Sequence, residues 1–335
     1  MWNELSIEEK MKAALVQQFG KDKGNKYYVQ YATARDYLVD EIFPQIRGVE
    51  PSLSEHDATH IQNVLGNAEF LLGDDIEKLD GINLYCLCLV ILFHDVGNIH
   101  GRKNHNKFNK IATVYDEVRK RDAKYNHERN VVIRAAQAHS GKSSSGSNDT
   151  LKDLPPTDHI YGHTIKLRDI ASILRFADEL AEGPQRTSEF MQAHHKYDPK
   201  SLPFHKYASI TNIHIDRPNE RITLTYHIYL DRKTKKFTTK TEKEFKELLS
   251  FTYKRILKLD QERKYTKHYS DFLSPFKKTS VKLNIYINGE LQELELNEIN
   301  LTDIVVPGED CKDIFELDSA YKVENILESL KNSKS

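Results

Sequence analysis

Between Gly81 and Phe93 the chain is apolar on every helical face (Ile82, Leu84, Tyr85, Cys86, Leu87, Cys88, Leu89, Val90, Ile91, Leu92). That pattern predicts a helix buried on all sides. It ends in His94-Asp95-Val96-Gly97, a polar pair placed where burial is deepest. Upstream, Ser6-Ile7-Glu8-Glu9 reads as a capping box opening a helix through Met11, Ala14, Leu15 and Phe19, which Gly20 to Gly24 should end. A second helix is expected over 32–46. A third follows Ser54, with His56 and His60 four apart on one face and His60 on the stripe of Val64 and Ala68. After a polar turn (His100, Gly101, Arg102, Lys103, His105), helices are predicted over 106–119, from Glu128 to His139, and over 167–181. The Gly/Ser-rich stretch from Ser140 to Asp149 cannot pack a core and reads as a mobile loop.

Beyond about Gln185 the period changes. Residues 222–230 alternate strictly, preceded by a turn at Arg217 to Glu220 and a strand ending near Asp216, with a polar link at 198–203 before it. A long helix over 241–265 follows. Val281, Leu283, Ile285 and Ile287 then alternate into Asn288-Gly289, a two-residue hairpin signal leading to a strand over 291–296, and a helix over 320–330 closes the pattern. The expectation is a mainly α protein: a helical extension over 1–50, an all-helical domain over 51–195, and a smaller α+β domain over 205–335.

Composition adds few constraints. The 335 residues are 39% hydrophobic and 30% charged, with a formal net charge of −1. No stretch approaches ~18 consecutive apolar residues and no leader pattern opens the chain, so no membrane span is expected. Of three cysteines, Cys86 and Cys88 point to different faces of the buried helix and lack the partners of a zinc site, which suits a reducing, cytoplasmic compartment. Charge is uneven late in the chain: 16 Lys+Arg against 6 Asp+Glu over 232–282, then 12 Asp+Glu against 3 Lys over 283–331. Solvated faces that neutralise one another explain this most simply, and a nucleic-acid surface on the basic segment is the alternative. A homo-oligomer is left open.

His94-Asp95 alone would fit a helix cap and a local turn bond. The order His60, His94-Asp95, His105, His139, Asp178 changes that reading, because neutral imidazoles and carboxylates delivered from several helices make a divalent-metal site. The segments His56-Asp-Ala-Thr-His60-Ile-Gln-Asn-Val64, His94-Asp-Val-Gly97 and Ile173-Leu-Arg-Phe-Ala-Asp178-Glu-Leu resemble the HD superfamily of metal-dependent phosphohydrolases over about 54–186. The resemblance implies a first ion on His60, His94, Asp95 and Asp178, and a second, bridged by Asp95, on His105 and His139, as in the HD-GYP and exopolyphosphatase-like branches. The Gly-Tyr-Pro signature is absent, and His139 is followed by Ser-Gly-Lys.

The implied activity is hydrolysis of a phosphoester or phosphoanhydride of a nucleotide or a cyclic or linear oligonucleotide through a metal-bound hydroxide. Manganese, iron, cobalt, nickel or zinc would suit these ligands, and magnesium where waters complete the shell. Asp95 and His94 are the central catalytic candidates. Arg102, Lys103, Lys142, Arg175 and His56 are the candidates for substrate phosphates, each against a plain solvent-facing charge, the reading preferred for Lys103 and Arg186, with Lys142 and Arg175 also weighed as catalytic. The alternatives are an HD-type single-strand nuclease and a non-catalytic nucleotide sensor.

Overall fold

A computed structural model describes residues 2–50, 57–194, 196–232, 236–303 and 312–332. By contact the chain divides into two compact units, Met1–Ala181 with Tyr265–Ser274, and Glu182–Lys264 with Pro275–Ser335.

The first unit is built from helices α1 (Ser6–Phe19), α2 (Lys21–Tyr37), α3 (Phe43–Val49), α4 (Ala58–Leu72), α5 (Gly81–Phe93), α6 (Phe108–Val118) and α7 (Asn126–Gln137), a short hairpin of β1 (Asp158–Ile160) and β2 (His163–Ile165), and α8 (Leu167–Glu179). Helix α5 is its axis: all its residues are buried, and it packs against α1, α2, α4, α7 and α8. Its start is fixed by the Asp80 side chain, which accepts from Asn83 N at 3.0 Å. Among the described residues, Gly81–His100 is the one helical stretch long and apolar enough to cross a membrane, and 94% of it is buried inside the protein.

A buried hub ties the far side of α5 to its neighbours. The Glu128 carboxylate accepts from Tyr85 (2.7 Å), Tyr161 (2.8 Å) and Tyr115 hydroxyls and pairs with Arg119 at 2.8 Å. Five polar groups from α5, α6, α7 and the hairpin thereby satisfy one another, which such deep burial requires.

Several local expectations are corrected. The cap of α1 is supplied by Glu8, whose carboxylate accepts from Leu5 N (2.8 Å) and Trp2 Nε1 (3.0 Å), while Ser6 donates to Glu69. Only Gly20 separates α1 from α2, so the second helix starts eleven residues before the sequence suggested. Gly24 is there for close packing and does not break the helix: a Cβ on it would lie 2.6 Å from Leu15 O in α1. Helix α2 continues through a π turn (Leu38–Ile42) into α3. Helix α4 begins at Ala58, capped by Asp57, and Ser54 and His56 lie outside the described residues. The β1–β2 hairpin was not foreseen, because its turn sets Tyr161 at φ +52° beside Gly162, and a tyrosine gives no left-handed signal.

The second unit holds α9 (Glu189–Ala193), α10 (Leu202–Ile210), strands β3 (Thr211–Asp216) and β4 (Arg221–Leu230), the main part of α11 (Thr239–Tyr269), β5 (Lys278–Ile287), β6 (Glu290–Leu291), β7 (Ile299–Thr302), α12 (Ile314–Leu317) and α13 (Val323–Asn332). Strands β3 and β4 are antiparallel, β4 and β5 parallel across the α11 crossover. Alternation holds as expected: Ile222, Leu224, Tyr226 and Ile228 are buried, as are Val281, Ile285 and Ile287. The predicted 291–296 strand shrinks to β6, and β7 takes its place against the first half of β5. The 198–203 link runs into α10. Much of the basic segment is matched by acids within this unit: Lys264 and the fully buried Arg263 on Asp260, Arg255 on Glu182, Lys277 on Glu220.

Two glycines in helices make a test of the packing argument. Gly24→Ala should destabilise the protein by about 1–3 kcal/mol through overpacking against α1. Gly66→Ala in α4, where an added Cβ meets nothing within 4 Å, should stabilise it by about 0.5–1 kcal/mol. Urea denaturation of both variants checks the opposite signs.

Candidate metal centre

The buried face around the end of α5 collects ligands from five places: His60 on α4, His94 and Asp95 at the end of α5, His105 in the turn before α6, His139 just after α7, and Asp178 on α8. All are buried except Asp178, which is partly so. They form two triads, His60 with His94 and Asp178, and Asp95 with His105 and His139. Asp95 joins them: its Oδ1 lies 3.3 Å from His105 Nε2 and 3.6 Å from His139 Nε2, and its Oδ2 lies 3.5 Å from His94 Nε2 and 3.8 Å from His60 Nε2. Asp178 Oδ1 is 3.2 Å from His60 Nε2 and 3.7 Å from His94 Nε2.

Three of the imidazoles are locked the same way. Nδ1 of His94, His105 and His139 donates to the carbonyl of the residue three before it, Ile91 (2.7 Å), Arg102 (3.1 Å) and Ala136 (2.5 Å). With Nδ1 as donor, Nε2 of a neutral ring carries the lone pair. Those lone pairs face carboxylate oxygens and each other, with two donors at the edge of the group, the Ser140 hydroxyl 3.1 Å from His139 Nε2 and Arg102 Nη1 3.4 Å from His105 Nε2. Asp95 Oδ1, His105 Nε2 and His139 Nε2 form a triangle with sides of 3.3, 3.4 and 3.6 Å. A point equidistant from those three atoms lies about 2.0 Å from each, close to a ~2.0–2.1 Å metal–imidazole bond. The donor set fits a divalent cation.

The electrostatics agree. For His94, burial opposes charge, but the Asp95 and Asp178 carboxylates outweigh it and push the ring up to about 9. The pair of carboxylates thus calls for a positive charge, a proton if nothing else. His139 is driven down to about 3 by burial and by His94, so its ring is neutral and its Nε2 lone pair is shared between the Asp95 side and the Ser140 hydroxyl at 3.1 Å. Burial works to raise Asp178, yet His60 and His94 hold it well below the usual carboxylate range.

The local chain explains how these groups meet. Gly97 is required because a Cβ there would sit 1.9 Å from the His105 carbonyl oxygen. The HD-x-G pattern therefore lets the His105 turn lie directly on the end of α5. Asn98, buried, donates to the Asp95 carbonyl (3.0 Å) and accepts from Arg102 (3.3 Å). Lys110 donates to three carbonyls of the same turn, His100, Gly101 and Lys103. Glu50 holds Arg102 N at 2.6 Å. Asn98 stands inside the His-Asp-Val-Gly-Asn run, whereas Lys110 and Glu50 act on backbone atoms and leave no pattern in the sequence.

Of the expected phosphate ligands, Arg102 reaches the centre, its Nη1 3.8 Å from Asp95 Oδ1 and 3.4 Å from His105 Nε2 with the side chain 45% exposed. Lys103 is exposed in the same turn. Lys142 is exposed on the loop after His139 and bonds Asn148. Arg175 is partly buried and donates to Thr150 Oγ1 (2.9 Å) and the Ala138 carbonyl (3.3 Å). Arg186 is buried and lies 4.0 Å from Glu182, contrary to its reading as a solvent-facing charge.

A family model described as HD-CE matches residues 50–258, more than half the chain. The match reaches past the helical segment that suggested the HD superfamily and well into α11. Comparison with curated proteins and with solved structures found no match.

The charge balance makes a prediction. Below about pH 9 a cation must displace the His94 proton, so metal affinity should rise with pH by up to about tenfold per unit between roughly 6.5 and 8.5. Manganese titration of metal-free protein at several pH values checks this, and an affinity flat across that range would contradict it.

Proposed function

Because the chain belongs to the HD-CE family, and with it to the HD-type metal-dependent hydrolases, we propose that it hydrolyses a phosphoester or phosphoanhydride bond of a nucleotide or short oligonucleotide. His60, His94, Asp95 and Asp178 would hold one divalent ion, and Asp95, His105 and His139 a second. The observation that carries this reading is Asp95, which turns one oxygen to each imidazole group. Divalent ions held there would acidify a water for attack on phosphorus and would neutralise charge on the phosphoryl oxygens.

The chain's own residues do the rest. Backbone carbonyls orient the rings, so that each presents one nitrogen and cannot swing away when a substrate displaces solvent. Arg102, which donates to Asn98 beside the second triad, would bind a non-bridging oxygen of the reacting phosphate. Lys103 and Lys142, both exposed, would meet further phosphates of a longer substrate. Arg175 bonds the backbone next to His139 and serves the scaffold.

Chromatographic analysis of the products from a panel of nucleotides, cyclic dinucleotides and single-stranded oligonucleotides, with manganese, cobalt or nickel supplied, tests the proposal, since diester cleavage leaves the phosphate on the sugar and releases none. Turnover of one class is expected. Asp95→Asn should abolish it, and Arg102→Ala should lower kcat/KM about 10–100-fold, as for a charge-assisted hydrogen bond worth roughly 1.5–3 kcal/mol. Metal-loaded protein inert on the whole panel would overturn it.

A further inference from the structure

We infer that Arg175, Thr150 and Tyr265 form a positioning device for His139, on which binding of the second ion depends; this rests on the two-ion reading above. His139 follows the end of α7, where the last carbonyls of the helix have no partner within it. One of these, Ala138 O, receives the Thr150 hydroxyl at 2.6 Å and Arg175 Nη1 at 3.3 Å. Arg175 Nη1 also bonds Thr150 Oγ1 at 2.9 Å, so the two donors hold each other as well as the carbonyl.

A third member closes the device. The Arg175 guanidinium lies 4.7 Å from the centre of the Tyr265 ring. The Tyr265 hydroxyl accepts from Leu151 N and donates to Asp149 Oδ1, both at 2.9 Å. Tyr269, one helical turn on, donates to Asp149 Oδ2 at 2.8 Å. The residues on either side of Thr150 are thereby tied to α11. His139 is held on two sides, its backbone through Ala138 O and its ring through Nδ1 on Ala136 O.

The device is selective for one triad. His60 and His94 sit within or at the end of their own helices, and His94 takes its ring support from Ile91. Loosening Ala138 is expected to move His139 and leave those two in place; Asp178, the third member of their triad, shares α8 with Arg175, so the Thr150 variants are the ones that read the selectivity. Arginine suits the role because its planar fork donates while it stacks on an aromatic face; lysine offers a point charge and cannot do both well.

Manganese titration of metal-free full-length protein, followed by calorimetry and by electron paramagnetic resonance, tests the inference without using activity. Wild type should take up two ions in resolvable steps. Thr150→Val, which keeps shape and removes the hydroxyl, and Arg175→Ala should each weaken the second step by about 10–100-fold and change the first by less than roughly threefold. Thr150→Ser should restore the second step. If Arg175→Ala does not fold, the valine and serine pair carries the test. Two unaltered steps in Thr150→Val would overturn the inference while leaving the two-ion reading intact. Fewer than two ions on wild type would defeat that reading and the inference with it.

Discussion

Hydrogen-bond acceptors that face one another inside a protein repel, and around Asp95 they face one another by design of the backbone. Three imidazoles, when neutral, spend their one proton on a carbonyl of their own chain segment, which turns a lone pair toward Asp95 and Asp178. In water such a grouping would cost little. At the end of a helix buried on every side it is strongly unfavourable unless a cation lies among the acceptors. The deep burial of α5 makes the centre a demanding one for positive charge, and the upward push on His94 expresses that demand in the absence of metal.

Much of the first unit maintains this arrangement. Helix α5 brings His94 and Asp95 to a fixed end, and Gly97 removes the side chain that would keep the His105 turn away. Lys110 gathers three carbonyls of that turn, and Glu50 holds its backbone from the other side. On the far side of α5 the Glu128 hub fixes how α6 and α7, the helices between His105 and His139, sit against the core. A ligand displaced by an ångström would lose its place in the triangle around Asp95, so rigidity at the ends of α5 and α7 is part of the site.

The sequence was informative where chemistry is carried by side-chain type. An all-apolar helix ending in His-Asp-Val-Gly announces itself, and the order of histidines and aspartates brought all six candidate ligands to one place. Glycine misled where its meaning was contact: Gly24 read as a break, yet it lets α2 lie against the Leu15 carbonyl. Tyr161 hid a hairpin because its left-handed backbone has no residue signature. Arg175 stands out in the sequence as a neighbour of Asp178; its bond to the Ala138 carbonyl cannot be read from any pattern. Strand alternation located β4 and β5, while the pairing of β7 depended on register that alternation does not encode.

The central claim is that the acceptor cluster around Asp95 is a cation site, and anomalous diffraction from crystals grown with manganese tests it most directly. The account predicts density between Asp95 Oδ1, His105 Nε2 and His139 Nε2, and a second peak among His60, His94, Asp95 and Asp178. Manganese absent from both positions, with the imidazoles protonated and hydrogen-bonded to the two carboxylates, would contradict it.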